Sequence, residues 1–131
     1  MKIRMTGNSV RLRVSRSELA HFLADGRIQE TIRFGAAPEA SFTYALETSA
    51  PGSAAATVRY APCNLAVVLA PEQVRLWREE SQTGIYAQVD IGANRALEVI
   101  VEKDFACLHR AGGENADSFP NPNLTANSAA G

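Results

Sequence analysis

Four basic residues stand at alternate positions on either side of a Gly-Asn pair: Lys2 and Arg4 before Gly7-Asn8, Arg11 and Arg13 after it. Between them lie Ile3, Met5, Val10, Leu12 and Val14. Alternation of this kind is the period-two pattern of half-buried strands, and Gly-Asn supplies the positive φ that a tight primed turn requires. A two-residue turn at 7–8 fixes the register by arithmetic. Met5 then opposes Val10 and Ile3 opposes Leu12 on an apolar face, while Arg4 opposes Arg11 and Lys2 opposes Arg13 on a basic one. Like charges directly opposite one another repel. Something must offset that repulsion, and two readings are open. Guanidinium groups take up phosphates and carboxylates in charge-assisted, bidentate contacts, so an anionic ligand or acidic partner would do it. Carboxylates of the same chain, with Glu47, Glu98, Glu102 and Asp104 as the candidates, would do it equally, and the acid-rich later half favours this.

No other constellation of chemistry stands out. Cys107, His109, Glu114 and Asp117 match no structural zinc spacing. His21 belongs to a helical stretch beside Phe22, Cys63 has nothing nearby in sequence to activate it, and Glu79-Glu80 and Gly112-Gly113 read as a solvated helix face and a loop. The nucleophile elbow, the phosphate-binding loop and the dinucleotide fingerprint are missing. The reading is therefore of no catalytic residues, no metal site and no cofactor, with Lys2, Arg4, Arg11 and Arg13 as the candidate ligand-binding residues.

Size and composition set the frame. At 131 residues the chain fits one domain that buries a core without staples. The two cysteines form no CxxC, no apolar segment is long enough to cross a bilayer, and MKIR is followed by no apolar stretch of the signal-peptide kind. These point to a cytoplasmic protein with reduced thiols. The net charge of −1 hides an asymmetry. Residues 1–34 carry seven basic and three acidic residues, leaving six basic and eleven acidic ones in the remainder. Compensation within the molecule is preferred over an external anionic partner, and a chain of this balance is a poor general polyanion binder.

The elements that position the basic residues follow from the pattern. Ser15 with Glu18 makes a capping box for a helix of about nine residues, with Leu19, Phe22 and Leu23 as its apolar stripe and Gly26 as its end. Residues 27–34 and 41–48 alternate like strands, and 49–56 reads as a flexible linker. Strands TVRYA and NLAVVLA then flank Pro62-Cys63, a pair barred from a primed turn because proline fixes φ near −65°. Pro71 opens a second helix that buries Val74 and Leu76 or Trp77. Residues 84–91 and 96–105 form the closing strands around GANR. The second hairpin lacks the arginines of the first and reads as buried on both faces.

These elements fall into two copies of one unit, 2–48 and 57–105. Residues 2–14 lie over 57–69 without a gap, Leu19 and Phe22 meet Val74 and Trp77, and after a two-residue shift Ile32 meets Val89. FTYALET at 42–48 then returns to the first offset over LEVIVEK at 97–103. The expected domain is 1–110, with 111–131 a tail docked through Phe119-Pro120 and free at its end.

The opening MKIR-x2-GNS-x-RLR-x3-SE, with EKDF-x-CL at 102–108 and FPNPN at 119–123, resembles a family of small bacterial proteins classed as a domain of unknown function. That resemblance implies no activity. Gly7-Asn8-Ser9, Arg11, Arg13 and the helix from Ser15 also resemble the AbrB/MazE-type antitoxin domains, with Leu69–Val74 similar to their strand-to-helix step. This second resemblance implies a swapped-hairpin pair of units and DNA contacts from Arg4, Arg11 and Arg13.

The resulting expectation is an α+β, strand-dominated fold. Two ββαββ repeats would form a small pseudo-two-fold barrel or a curved antiparallel sheet with two short helices. The expected function is non-enzymatic recognition of a protein or small anionic ligand through the basic hairpin face. The alternatives are a DNA-binding regulator and an enzyme with an unrecognised site. Membrane association is not expected, and the oligomeric state is open.

Overall fold

The computed structural model describes residues 1–79, 81–105 and 117–120. The chain runs β1 (Lys2–Thr6), β2 (Ser9–Val14), α1 (Arg16–Asp25), β3 (Arg27–Arg33), β4 (Ser41–Thr48), β5 (Ala56–Ala61), β6 (Asn64–Leu69), α2 (Pro71–Trp77), β7 (Gly84–Gly92) and β8 (Arg95–Lys103). The strands form two four-stranded sheets, ordered β1-β2-β8-β7 and β3-β4-β6-β5. The outer pairs of each sheet are antiparallel, and the centre of each is parallel, β2 with β8 and β4 with β6.

This corrects the expected barrel and the expected antiparallel sheet. Neither sheet closes, and both are mixed. The helices explain why. Each carries the chain from one sheet to the other, α1 from β2 to β3 and α2 from β6 to β7. Each sheet thus takes one hairpin from residues 2–48 and one from residues 56–103, and the junction between hairpins is parallel. Edge strands remain at β1, β7, β3 and β5.

Local chemistry accounts for the boundaries. Ser15 and Glu18 form the capping box: the Ser15 hydroxyl accepts from the Glu18 N–H and the Glu18 carboxylate accepts from the Ser15 N–H at 3.0 Å. Gly26 closes α1 in the left-handed region at φ 76°. Pro71 occupies the first turn of α2. The β1–β2 turn has its positive φ at Gly7 (57°), as a type II′ turn requires, and Cys63 (65°) takes the positive φ after Pro62, the pattern of a type II turn. The β7–β8 connection is shorter than the expected GANR. Gly92 pairs with Arg95 and only Ala93 and Asn94 turn, both at positive φ. Residues 49–55 are tied to the second sheet by Ser49 N–H to Leu69 O at 2.8 Å and Ala70 N–H to Ala55 O at 3.0 Å, so they are less free than their composition implies.

The core lies between the two sheets and the helices. Leu12, Val14, Val99 and Val101 from one sheet meet Tyr44, Leu46, Val67 and Leu69 from the other, with Phe22 and Trp77 supplied by the helices. The Phe22 and Trp77 rings meet edge to face, 6.4 Å between centroids. One residue of the expected stripes stays outside, Leu23, which is exposed; of the two alternatives on α2, Trp77 is buried and Leu76 is exposed. The second hairpin is also corrected. β6 is buried because it is central, but β5 is an edge strand, and Thr57, Arg59 and Tyr60 face solvent.

Phe119 lies against the body. Its N–H donates to Asp104 O at 2.9 Å and its ring meets Phe105 edge to face. Asp117 accepts from the N–H of Ser17 at 3.0 Å and from the Ser17 hydroxyl. These bonds hold its carboxyl below the usual range, Ser17 contributing most. The other residues weighed as metal ligands, Cys107, His109 and Glu114, lie outside the described residues, as do Gly112-Gly113, Glu80 and the chain end from residue 121.

Candidate functional site: a cationic sheet face

The β1–β2 register is the one the sequence predicts: Lys2 opposite Arg13, Ile3 opposite Leu12, Arg4 opposite Arg11, Met5 opposite Val10. Leu12 is buried in the core, so the basic residues project from the other side of the sheet. The parallel partner strand completes that surface. Arg11 neighbours Ile100 and Arg13 neighbours Glu102. On the far side, Ile100 faces Tyr86 and Glu102 faces Gly84. The outer surface therefore carries two cross-sheet rows, Arg4-Arg11-Ile100-Tyr86 and Lys2-Arg13-Glu102-Gly84.

The internal offset considered for the repulsion is visible on this surface. Glu102 accepts from Arg13 Nε at 3.0 Å and lies 3.5 Å from Arg11 Nε. Lys2 Nζ reaches Asp104 Oδ2 at 3.0 Å. So carboxylates of the same chain neutralise much of the basic cluster, and two of the four candidate acids are the ones that do it. Arg4 differs. Among the described residues it alone of the four makes no ion pair with a carboxylate.

Two shallow grooves meet at Arg4 and Arg11. One, of about 190 Å³, is lined by Lys2, Ile3, Arg4, Arg11 and Arg13. The other, of about 230 Å³, is lined by Arg4, Thr6, Ser9, Arg11, Glu98 and Ile100. The first is cationic along its length, whereas Glu98 places a carboxylate at the far end of the second.

The outer face of the other sheet shows two arginines that are both paired with a carboxylate. Glu47 accepts from Arg27 Nε at 3.0 Å and from both terminal nitrogens of Arg59, at 2.9 and 2.6 Å. The fork of Arg59 does most to hold the Glu47 carboxyl below its usual range, and Glu47 in turn raises Arg59. Each arginine of that trio has a carboxylate partner, although two cations share the one anion.

The remaining candidates are placed apart from this face. His21 is exposed on α1. Cys63 is exposed in the β5–β6 turn, with its thiol 3.5 Å from Glu39 O. Among the described residues, no three His, Cys, Asp or Glu side chains are grouped to hold a metal ion, and no helix is long and apolar enough to cross a membrane. Sequence reading missed Tyr86, Ile100 and Gly84 as members of the basic face. The antiparallel pairing of β7 with β8 puts Tyr86 and Ile100 on a common face, and only the parallel pairing of β2 with β8 brings that face beside Arg11.

Fold and site together define a small α+β protein of two mixed sheets, one of which presents a partly neutralised cationic face. The chain belongs to the family described as a family of unknown function (DUF7009), whose model matches residues 1–123. This agrees with the resemblance carried by the opening and closing motifs. No curated protein and no solved structure matched the chain.

Proposed function

We propose that this protein is a non-enzymatic, cytoplasmic binding module that takes up an anionic ligand or partner group on the outer face of the β1-β2-β8-β7 sheet. Arg4 is the principal contact, Arg11 is shared with Glu102, and Lys2 and Arg13 form the rim. One observation carries the reading: Arg4 stands in a cationic groove, opposite Arg11, with no ion-pair partner among the described residues, while Arg59 on the other sheet is fully engaged. Like charges directly opposite one another cost stability, Glu102 offsets that cost at Arg11 alone, and a bound anion offsets it at Arg4.

The reading includes an origin by duplication, the two halves being related by a pseudo-two-fold exchange. Support comes from the registers. Adding 55 to Ser9 and subtracting 55 from Glu98 turns the pair Ser9–Glu98 into Asn64–Thr43, which is the register of the other parallel junction. The same offset takes Lys2–Arg13 to Thr57–Val68. Exchanging β1–β4 for β5–β8 also converts one sheet order into the other. On this reading the anion site is a feature of one copy only, gained or kept where Arg11 and Arg13 stand in place of Ala66 and Val68.

Titration with inorganic phosphate at low salt tests the proposal. Binding that weakens at least fivefold in Arg4→Ala, and little in Arg59→Ala, is the expected result. Equal loss in both variants, or no binding by the parent protein, refutes it. A duplex DNA arm separates the regulator alternative, for which affinity must fall steeply with salt.

A further inference from the structure

The row Arg4-Arg11-Ile100-Tyr86 holds more than cations. Tyr86 is 64% exposed, although it sits on a sheet and not in a loop, and it faces Ile100, which is 6% exposed. The position of its ring is set by Gly84. A Cβ added there would lie 3.2 Å from the Tyr86 hydroxyl, and 3.0 Å from both Glu102 Cβ and Val101 O. The phenol thus runs along β7 over the glycine instead of standing away from the sheet, and at that exposure it offers a ring face to solvent. Ile100 forms an apolar floor between this ring and Arg11. Tyr86 and Arg11 lie two strand spacings apart, about 9–10 Å between backbones. Long guanidinium side chains close part of that gap, leaving a separation of the order of that between a nucleobase and its own phosphate.

Resting on the anion site proposed above, we infer that this face binds a nucleotide unit, with the phosphate at Arg4 and Arg11 and the base stacked on Tyr86. Stacking on an aromatic side chain tolerates any base, since every base has a π-face. The charge balance selects a single unit over a duplex. Glu102 and Asp104 already engage three of the four cations, so the face lacks the run of unpaired cations that tracks a polyphosphate backbone. The opposite sheet provides the contrast: at the equivalent place in its row, opposite Tyr44's neighbour Ala45, it has Gln29, which offers no ring.

The test compares AMP, ribose 5-phosphate and inorganic phosphate by calorimetry, with a short single-stranded oligonucleotide as a further arm. AMP is expected to bind about tenfold more tightly than ribose 5-phosphate. Tyr86→Leu should abolish that difference and leave ribose 5-phosphate unaffected, while Arg4→Ala weakens both. On the parent protein, AMP should shift the Tyr86 ring protons upfield, a readout independent of any variant's folding. AMP should bind more tightly than the oligonucleotide, and the reverse order overturns the assignment to a single nucleotide unit. Equal affinity for AMP and ribose 5-phosphate, or AMP binding that ignores Tyr86→Leu, overturns the nucleotide inference and leaves the anion site standing. Absence of binding by all the phosphorylated compounds overturns both.

Discussion

Arg4 and Arg59 both stand on edge strands and project from outer sheet faces, yet among the described residues only Arg59 is paired with a carboxylate, its two terminal nitrogens bonded to Glu47 at 2.9 and 2.6 Å. Arg4 faces Arg11 instead. The two arginines therefore differ in what their loss does. Arg59→Ala removes a bidentate pair and leaves Glu47 to Arg27, so its urea midpoint should fall. Arg4→Ala removes a like-charge neighbour, so its midpoint should stay level or rise. A fall in the Arg4→Ala midpoint equal to that of Arg59→Ala would mean that Arg4 is structural.

Glu47 gives a pH dependence whose sign is fixed. Its carboxyl, ordinarily titrating at 4.5, is held lower in the folded state, chiefly by Arg59. A depressed folded value stabilises the native state fully above the ordinary value, and that stabilisation is lost as pH falls through the folded one. Glu47→Gln should therefore lower stability at neutral pH and flatten the acid limb below about pH 4.5, in denaturation curves taken from pH 7 to pH 2. Parallel curves for parent and variant across that window would contradict the assignment.

Trp77 is fully buried, and its Nε1 is the one buried side-chain polar atom among the described residues with no hydrogen-bond partner. Two effects oppose each other in Trp77→Phe: lost volume destabilises, while removal of a desolvated donor stabilises. We expect Trp77→Ala to cost about 3–5 kcal/mol and Trp77→Phe about 1 kcal/mol or less, by chemical denaturation. Equal costs would show that the indole N–H is satisfied.

Ser15 and Asp117 both serve the first turn of α1. Ser15→Ala should cost about 1 kcal/mol through loss of the cap. Asp117 accepts from the Ser17 N–H and its carbonyl accepts from the Arg16 N–H at 2.9 Å. Asp117→Asn should therefore speed hydrogen exchange at Ser17 and leave the β-sheet amides unchanged.

Local structure was largely legible in the sequence, and long-range pairing was not. The β1–β2 register followed from the Gly7-Asn8 turn, and the capping box and Gly26 set α1, because these depend on residues close in sequence. What failed depended on which strand neighbours which. Nothing in Ser9–Val14 alone says that β8 lies beside it in parallel, so Glu102 was one of four candidate acids and Tyr86 was not placed at all. The same gap let a barrel be expected: whether a helix returns its chain to the sheet it left, or crosses to the other, is not written in its capping or its stripe. Leu23 fell outside for a related reason, since α1 is covered over a narrower arc than its apolar residues span.

The account turns on Arg4 having no carboxylate partner among the described residues, beside cations already engaged. The measurement closest to that claim is a side-chain NMR titration with inorganic phosphate at low ionic strength, following every arginine Nε–Hε resonance. Arg4 should move first and furthest and Arg11 next, with Arg27 and Arg59 held still by Glu47. Uniform small shifts across all the arginines, or movement confined to Arg27 and Arg59, would contradict it.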